Sequence, residues 1–197
     1  MIKYYIFLVT ILMLPGRSLT QTFEAGIVVG VNASQINGDF LAGYDKLGLH
    51  TGLKVRVSTW EHVEWSMELL LSQRGSRADI FTKDTRKIHL NYVEIPLLAA
   101  FKDWLKDDFY KIRFEGGISY GRLVGNNVSF EGVEDQIDEF NNDDLSLILG
   151  ATLFTSERIG FSFRYTHSVT PLLNNKRNLE FSRLRGFFLT FRSVYML

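Results

Sequence analysis

The chain has 197 residues, with 22 Lys and Arg against 22 Asp and Glu, and no cysteine. Zero net charge gives no field that would draw nucleic acid or an acidic surface, so no nucleic-acid partner is expected. The missing thiols exclude a disulfide framework and thiol chemistry, and the length suits one domain.

Met1-Ile2-Lys3 leads into an apolar run from Tyr4 to Leu14, followed by Pro15, Gly16 and Ser18-Leu19-Thr20-Gln21. This is the layout of a secretory signal peptide, and the run is shorter than the roughly 18 apolar residues of a transmembrane helix. Residues 1–20 are read as a signal peptide cleaved near Thr20 and Gln21, and 21–197 as one mature domain. Export without cysteines points to a bacterial envelope.

The mature chain alternates with a period of two, the mark of strands with two unlike faces. From Phe23 to Ser34, Ile27, Val29 and Val31 oppose Glu24, Gly26, Gly30 and Asn32. From Leu47 to Ser58, Leu49, Leu53 and Val55 oppose His50, Lys54 and Arg56. The third strand, from Val63, sets Trp65, Met67, Leu69 and Leu71 against Glu64, Ser66, Glu68, Leu70, Ser72 and Arg74.

In the fourth, Lys87 to Lys102, Ile88, Leu90 and Tyr92 are read as outward, and Ile95, Leu97, Ala99 and Phe101 as outward after a change of phase. A β-bulge near Val93 is expected to make that change, with Pro96 as its companion. Strand five, Tyr110 to Leu123, turns Lys111, Arg113, Glu115, Ser119 and Gly121 inward. The sixth shows Leu145, Leu147, Leu149 and Leu153 outward, and the seventh Ile159, Phe161, Phe163 and Tyr165. The last, Gly186 to Leu197, has Phe187, Leu189, Phe191 and Tyr195 out and Thr190 and Arg192 in.

Eight strands result, and their connections alternate. Those at Thr59 to His62, Asp103 to Asp108 and Thr155 to Arg158 are short; those at Gln35 to Lys46, Arg77 to Arg86, Gly125 to Asp143 and Thr170 to Ser182 are long. Short turns at one rim and long loops at the other belong to an outer-membrane barrel with its short turns in the periplasm. The expected fold is all-β: an eight-stranded antiparallel up-and-down transmembrane β-barrel. Phe23, Trp60, Trp65, Trp104, Phe109, Tyr110, Phe154 and Phe161 fall beside the short turns and are read as an interfacial aromatic belt. A soluble lipocalin-like ligand carrier shares the topology, but it would carry the opposite polarity, apolar inside and charged outside.

Four segments, GVNASQINGD (Gly30 to Asp39), GYDKLGLHTGL (Gly43 to Leu53), MELLLSQRGSR (Met67 to Arg77) and NYVEIPLL (Asn91 to Leu98), resemble the PorT-like outer-membrane β-barrel family of Bacteroidetes. The resemblance implies an outer-membrane location, an eight-stranded barrel and a link to type IX secretion. The chain departs from the family's usual assembly signal, a final strand ending on Phe: Gly186, Leu189 and Phe191 have its spacing, but Arg192 to Leu197 follow.

The inward charges Glu24, Lys54, Arg56, Glu64, Glu68, Arg74, Glu94, Lys102, Arg113, Glu115, Arg164 and Arg192 carry both signs, and in a narrow lumen they are expected to pair across strands. A proton or ion path through them is the alternative. The acidic run Glu131 to Asp144 has the oxygen ligands for Ca²⁺ but no calcium-loop spacing, so it is read as a solvated loop. His167-Ser168 is the one Ser and His pair near the outer rim. Neighbours in a strand face opposite ways, which argues against a lipid-modifying enzyme. His50, His62 and His89 lack metal-ligand spacing.

No catalytic, cofactor or metal residue is assigned. The expected function is a non-enzymatic binding, assembly or anchoring component of the envelope. Its partners are outer-membrane lipid and envelope or secretion-system proteins, with Phe40, Tyr44, Phe81, Phe130 and Phe140 as loop contacts.

Overall fold

The computed structural model describes residues 22–37, 46–77, 87–129, 141–171 and 185–197. The signal-peptide reading, the contact candidates Phe40, Tyr44, Phe81, Phe130 and Phe140, and the acidic run up to residue 140 lie outside them. Eight strands are present: β1 (Phe23–Asn37), β2 (Lys46–Trp60), β3 (Val63–Arg77), β4 (Lys87–Lys106), β5 (Phe109–Ser129), β6 (Asp143–Phe154), β7 (Ile159–Ser168) and β8 (Arg185–Met196). Each pairs antiparallel with the next, and β8 returns to β1, so the sheet is closed.

Following partners around the barrel from Ala25 through Val55, Met67, Leu97, Ile118, Leu147, His167 and Phe187 leads back to β1 at Gln35, ten residues above the start. That stagger tilts the strands steeply and leaves an interior just wide enough for side chains to fill.

The two faces divide as alternation predicts. Outside lie Ile27, Val29, Val31, Leu53, Met67, Leu69, Leu97, Ile118, Leu147, Leu149 and Phe163, all exposed and all apolar. Inside, Lys54, Arg56, Glu64, Glu68, Arg74, Glu94, Glu115, Arg164 and Arg192 are buried. Thr51, whose side chain stands on the apolar side, donates its hydroxyl to the Val28 carbonyl at 3.0 Å, which removes a free polar group from that face. A soluble ligand carrier needs the reverse polarity.

β4 corrects the expected phase change at Val93. Leu90, Tyr92, Glu94, Leu98, Ala100 and Lys102 are all buried, so a single alternation runs through the strand and Leu90 and Tyr92 point inward. The irregularity lies across the ladder, on β5: Asn91 pairs with Gly125 and Tyr92 with Leu123, which leaves Val124 as the extra, outward residue. Pro96 shifts nothing. Met67 pairs with Leu97 and Leu70 with Glu94 in the same register, with the ladder lapsing between them where the proline has no N–H to give.

The short connections are tighter than expected at two places, and only Glu61 and His62 separate β2 from β3. β4 continues through residues 103–106, and only Asp107 and Asp108 make the turn, with φ of 57° and 65°. Both lie in the left-handed region, the geometry of a type I′ hairpin turn, in which glycine is favoured at the second position. Asp108→Gly is therefore expected to stabilise the barrel by about 0.5–1 kcal/mol. A raised urea midpoint at unchanged slope is the readout; no rise would mean that the second aspartate has a partner that offsets its strain. Asp107 is better left in place: the Lys111 ammonium bonded to it at 2.9 Å holds its carboxyl below the usual range. The folded pKa being lowered, that pair contributes above the unfolded carboxyl value and its contribution fades as pH falls through the folded one.

Candidate functional site

The inward side chains form three polar layers. Nearest the long loops, Arg74 of β3 reaches Glu94 of β4 at 2.7 Å and Asp144 of β6 at 2.6 Å. Its guanidinium carbon lies over the rings of Tyr92 at 4.8 Å and Phe188 at 4.1 Å. Asp144 also accepts hydroxyl bonds from Ser146 at 2.8 Å, Ser168 at 3.1 Å and Thr170 at 2.9 Å. Here is the reason Tyr92 faces inward: a guanidinium stacked between two aromatic faces makes an apolar ring a good neighbour for a charge.

The middle layer centres on Glu68 of β3. Arg164 of β7 gives it two bonds of 2.8 Å, and Arg192 of β8 gives it two more, of 2.7 and 2.9 Å. Lys54 of β2 stands 3.4 Å from Glu68 and 3.5 Å from Glu115 of β5. Glu115 also receives the Arg164 Nε–H and the Ser162 hydroxyl. Three cations thus face two carboxylates, all of them buried.

The third layer lies toward the short turns. Arg56 bonds Glu24 at 2.6 Å and approaches Glu64 at 3.7 Å, while Arg113 donates to Glu64 at 3.3 Å and Lys102 to the Ser58 hydroxyl at 3.0 Å. Phe154, 2% exposed, lies under the guanidinium groups of Arg56 and Arg113, and Val28, Leu70, Val194 and Met196 cluster with it.

This corrects the aromatic belt. Phe23, Trp60, Trp65, Trp104 and Phe161 do stand exposed at the outer wall, but Phe154 is inside, and Phe109 packs against the same internal cluster. Gly160 permits it, because a Cβ there would meet the Phe154 ring at 3.1 Å.

All twelve inward charges read from the sequence are in the lumen or at its mouth. Among the described residues, the buried charge that was missed is Asp144. Its place at the end of an acidic run hid it, yet it belongs to β6 and is 1% exposed. Asp143 beside it faces outward, accepting from Arg122 at 2.7 Å and from the Tyr120 hydroxyl.

His167 and Ser168 point to opposite faces. The His167 ring lies tilted against Phe187, with centroids 4.7 Å apart, on the outer wall, and Ser168 bonds Asp144 inside. Among the described residues, no three His, Asp or Glu side chains gather as a metal-binding set.

A closed, tilted, eight-stranded barrel with an apolar outer wall and a lumen filled by ion pairs defines a small transmembrane β-barrel. A family model described as "Outer membrane protein beta-barrel domain" matches residues 17–174, and the chain belongs to that family. Its location is the bacterial outer membrane.

Two crystal structures of Ail, the attachment invasion locus protein of Yersinia pestis, superpose with TM-scores of 0.50 at 12% identity, covering 89% and 88% of this chain and 99% and 98% of those chains. One of them holds the heparin analogue sucrose octasulfate. Neisserial surface protein A gives a TM-score of 0.49 at 9% identity, covering 88% of this chain and 96% of that one. At such identities the likeness concerns the fold. Comparison with curated proteins found no match.

Proposed function

We propose that the chain is a non-enzymatic anchoring and binding component of the outer membrane, which holds its rim segments for contact with other envelope proteins. The filled lumen carries this reading. With Glu68, Arg164 and Arg192 bonded to one another across the middle, the interior offers a solute no passage wider than the gaps between paired side chains. The opposed directions of His167 and Ser168 argue in the same sense against lipid hydrolysis by that pair. The resemblance of four segments to the PorT-like family is what supports a partner among Bacteroidetes envelope proteins, with type IX secretion components first among them.

The test is co-purification of the tagged full chain from cross-linked native outer membranes, with planar-bilayer conductance measured in parallel. Discrete envelope proteins enriched over an unrelated barrel of the same size, without steady conductance, are expected. Stable single-channel steps, or a change in lipid composition that His167→Ala abolishes in a normally inserted barrel, would overturn the reading.

A further inference from the structure

The middle layer leaves two buried donors without acceptors. Arg192 is 0% exposed and spends both of its terminal nitrogens on Glu68, while its Nε–H meets no partner. His50 is also buried, and its Nε2 meets none.

One arrangement of the neighbours puts the ring proton of His50 on Nε2. Asn32 donates its amide to the Ser72 hydroxyl oxygen at 2.8 Å, which leaves the Ser72 hydrogen free to point at His50 Nδ1, 3.5 Å away. Nδ1 is then the acceptor and Nε2 carries the hydrogen. The two donors belong to one neighbourhood: Gly30 of β1 pairs with His50 on one side and with Arg192 on the other. The absence of a side chain at Gly30 lets Arg192 lean across β1, since a Cβ there would collide with the Arg192 Cβ and Cα.

Buried donors of this kind are rarely left unpaired in a folded protein. The surrounding charge decides what kind of acceptor suits them. Lys54, Arg164 and Arg192 carry one more charge than Glu68 and Glu115 neutralise, all within a shell closed to bulk solvent. We propose that the lumen beside Gly30 holds a small monovalent anion of the halide class, which accepts from His50 Nε2 and Arg192 Nε and balances the third cation. The ion is enclosed as the barrel closes, and it makes folding depend on halide.

The purified full-length barrel should be unfolded and refolded by urea in detergent, in sodium bromide or chloride and in sodium gluconate at equal ionic strength. At 100 mM halide a site with a dissociation constant of about 10 mM raises the folding equilibrium constant about tenfold over gluconate. His50→Phe should insert and lose that dependence. Should the variant not fold, crystals of the unaltered chain grown in bromide decide the matter, because an anomalous peak is expected between His50 and Arg192. Equal stability in halide and gluconate, a halide effect that survives His50→Phe, or a water without anomalous signal at that position would each overturn the proposal.

Discussion

Glu68→Gln is expected to lower the unfolding free energy of the detergent-folded barrel by about 3–5 kcal/mol, the usual loss when a buried ion pair keeps its cations and loses its anion. The carboxylate receives four guanidinium bonds and lies near an ammonium, and its side chain is fully buried. A neutral amide of the same shape leaves Arg164, Arg192 and Lys54 facing Glu115 alone. Glu24→Gln is the matched control, because Glu24 sits half-exposed at the mouth and pairs with Arg56, so that its loss should cost under about 1 kcal/mol. Urea titrations followed by tryptophan fluorescence measure both, Trp60, Trp65 and Trp104 all being on the wall near the short turns. Equal, small losses would mean that water, and not the opposing carboxylate, solvates these cations.

Leu149→Arg should cost about 2–4 kcal/mol in a lipid bilayer, the penalty for a cation near the midplane of a barrel wall. Leu149 is 67% exposed at the middle of β6, so in a water-soluble protein the same substitution would be nearly neutral. Phe23→Arg, at the rim beside the short turns, should cost about 0–1 kcal/mol, since the penalty falls toward the interface. The depth dependence separates a membrane wall from an ordinary surface. Folding equilibria in vesicles of one lipid type read it, and a flat profile from Phe23 to Leu149 would contradict the assignment of the outer face.

Most of this architecture was legible in the alternation itself. Wherever a strand carries charge on one side and Leu, Val or Phe on the other, as in β2, β3 and β7, the reading and the structure agree in which face is inside. It failed where an inward position is apolar for a local reason. Leu90 and Tyr92 look like wall residues, and for Tyr92 the stacking of Arg74 against its ring and that of Phe188 gives the inward place a reason. Phe154 misled in the same way, because a ring lying under two guanidinium groups resembles an interfacial aromatic when only its place beside a turn is known. The ion pairs were legible in kind but not in partner: alternation places Glu68 inside, but it takes the stagger of ten residues to bring Arg164 and Arg192 to it from the far side of the barrel.

The same pairing constrains the order in which the molecule can be made. Glu68 lies on the third strand, and its principal cations lie on the seventh and eighth, 96 and 124 residues further along the chain. Through most of assembly the growing sheet must therefore carry a carboxylate that has Lys54 of the neighbouring strand but not its two guanidinium partners, on a face that cannot be given to lipid. Such long-range contacts bring reward late and make partial structures poor resting points. Docking of β8 against β1 both seals the seam and brings Arg192 to Glu68, so closure and the last two guanidinium bonds of that carboxylate are one event, and a chain stopped short of its last strand has neither.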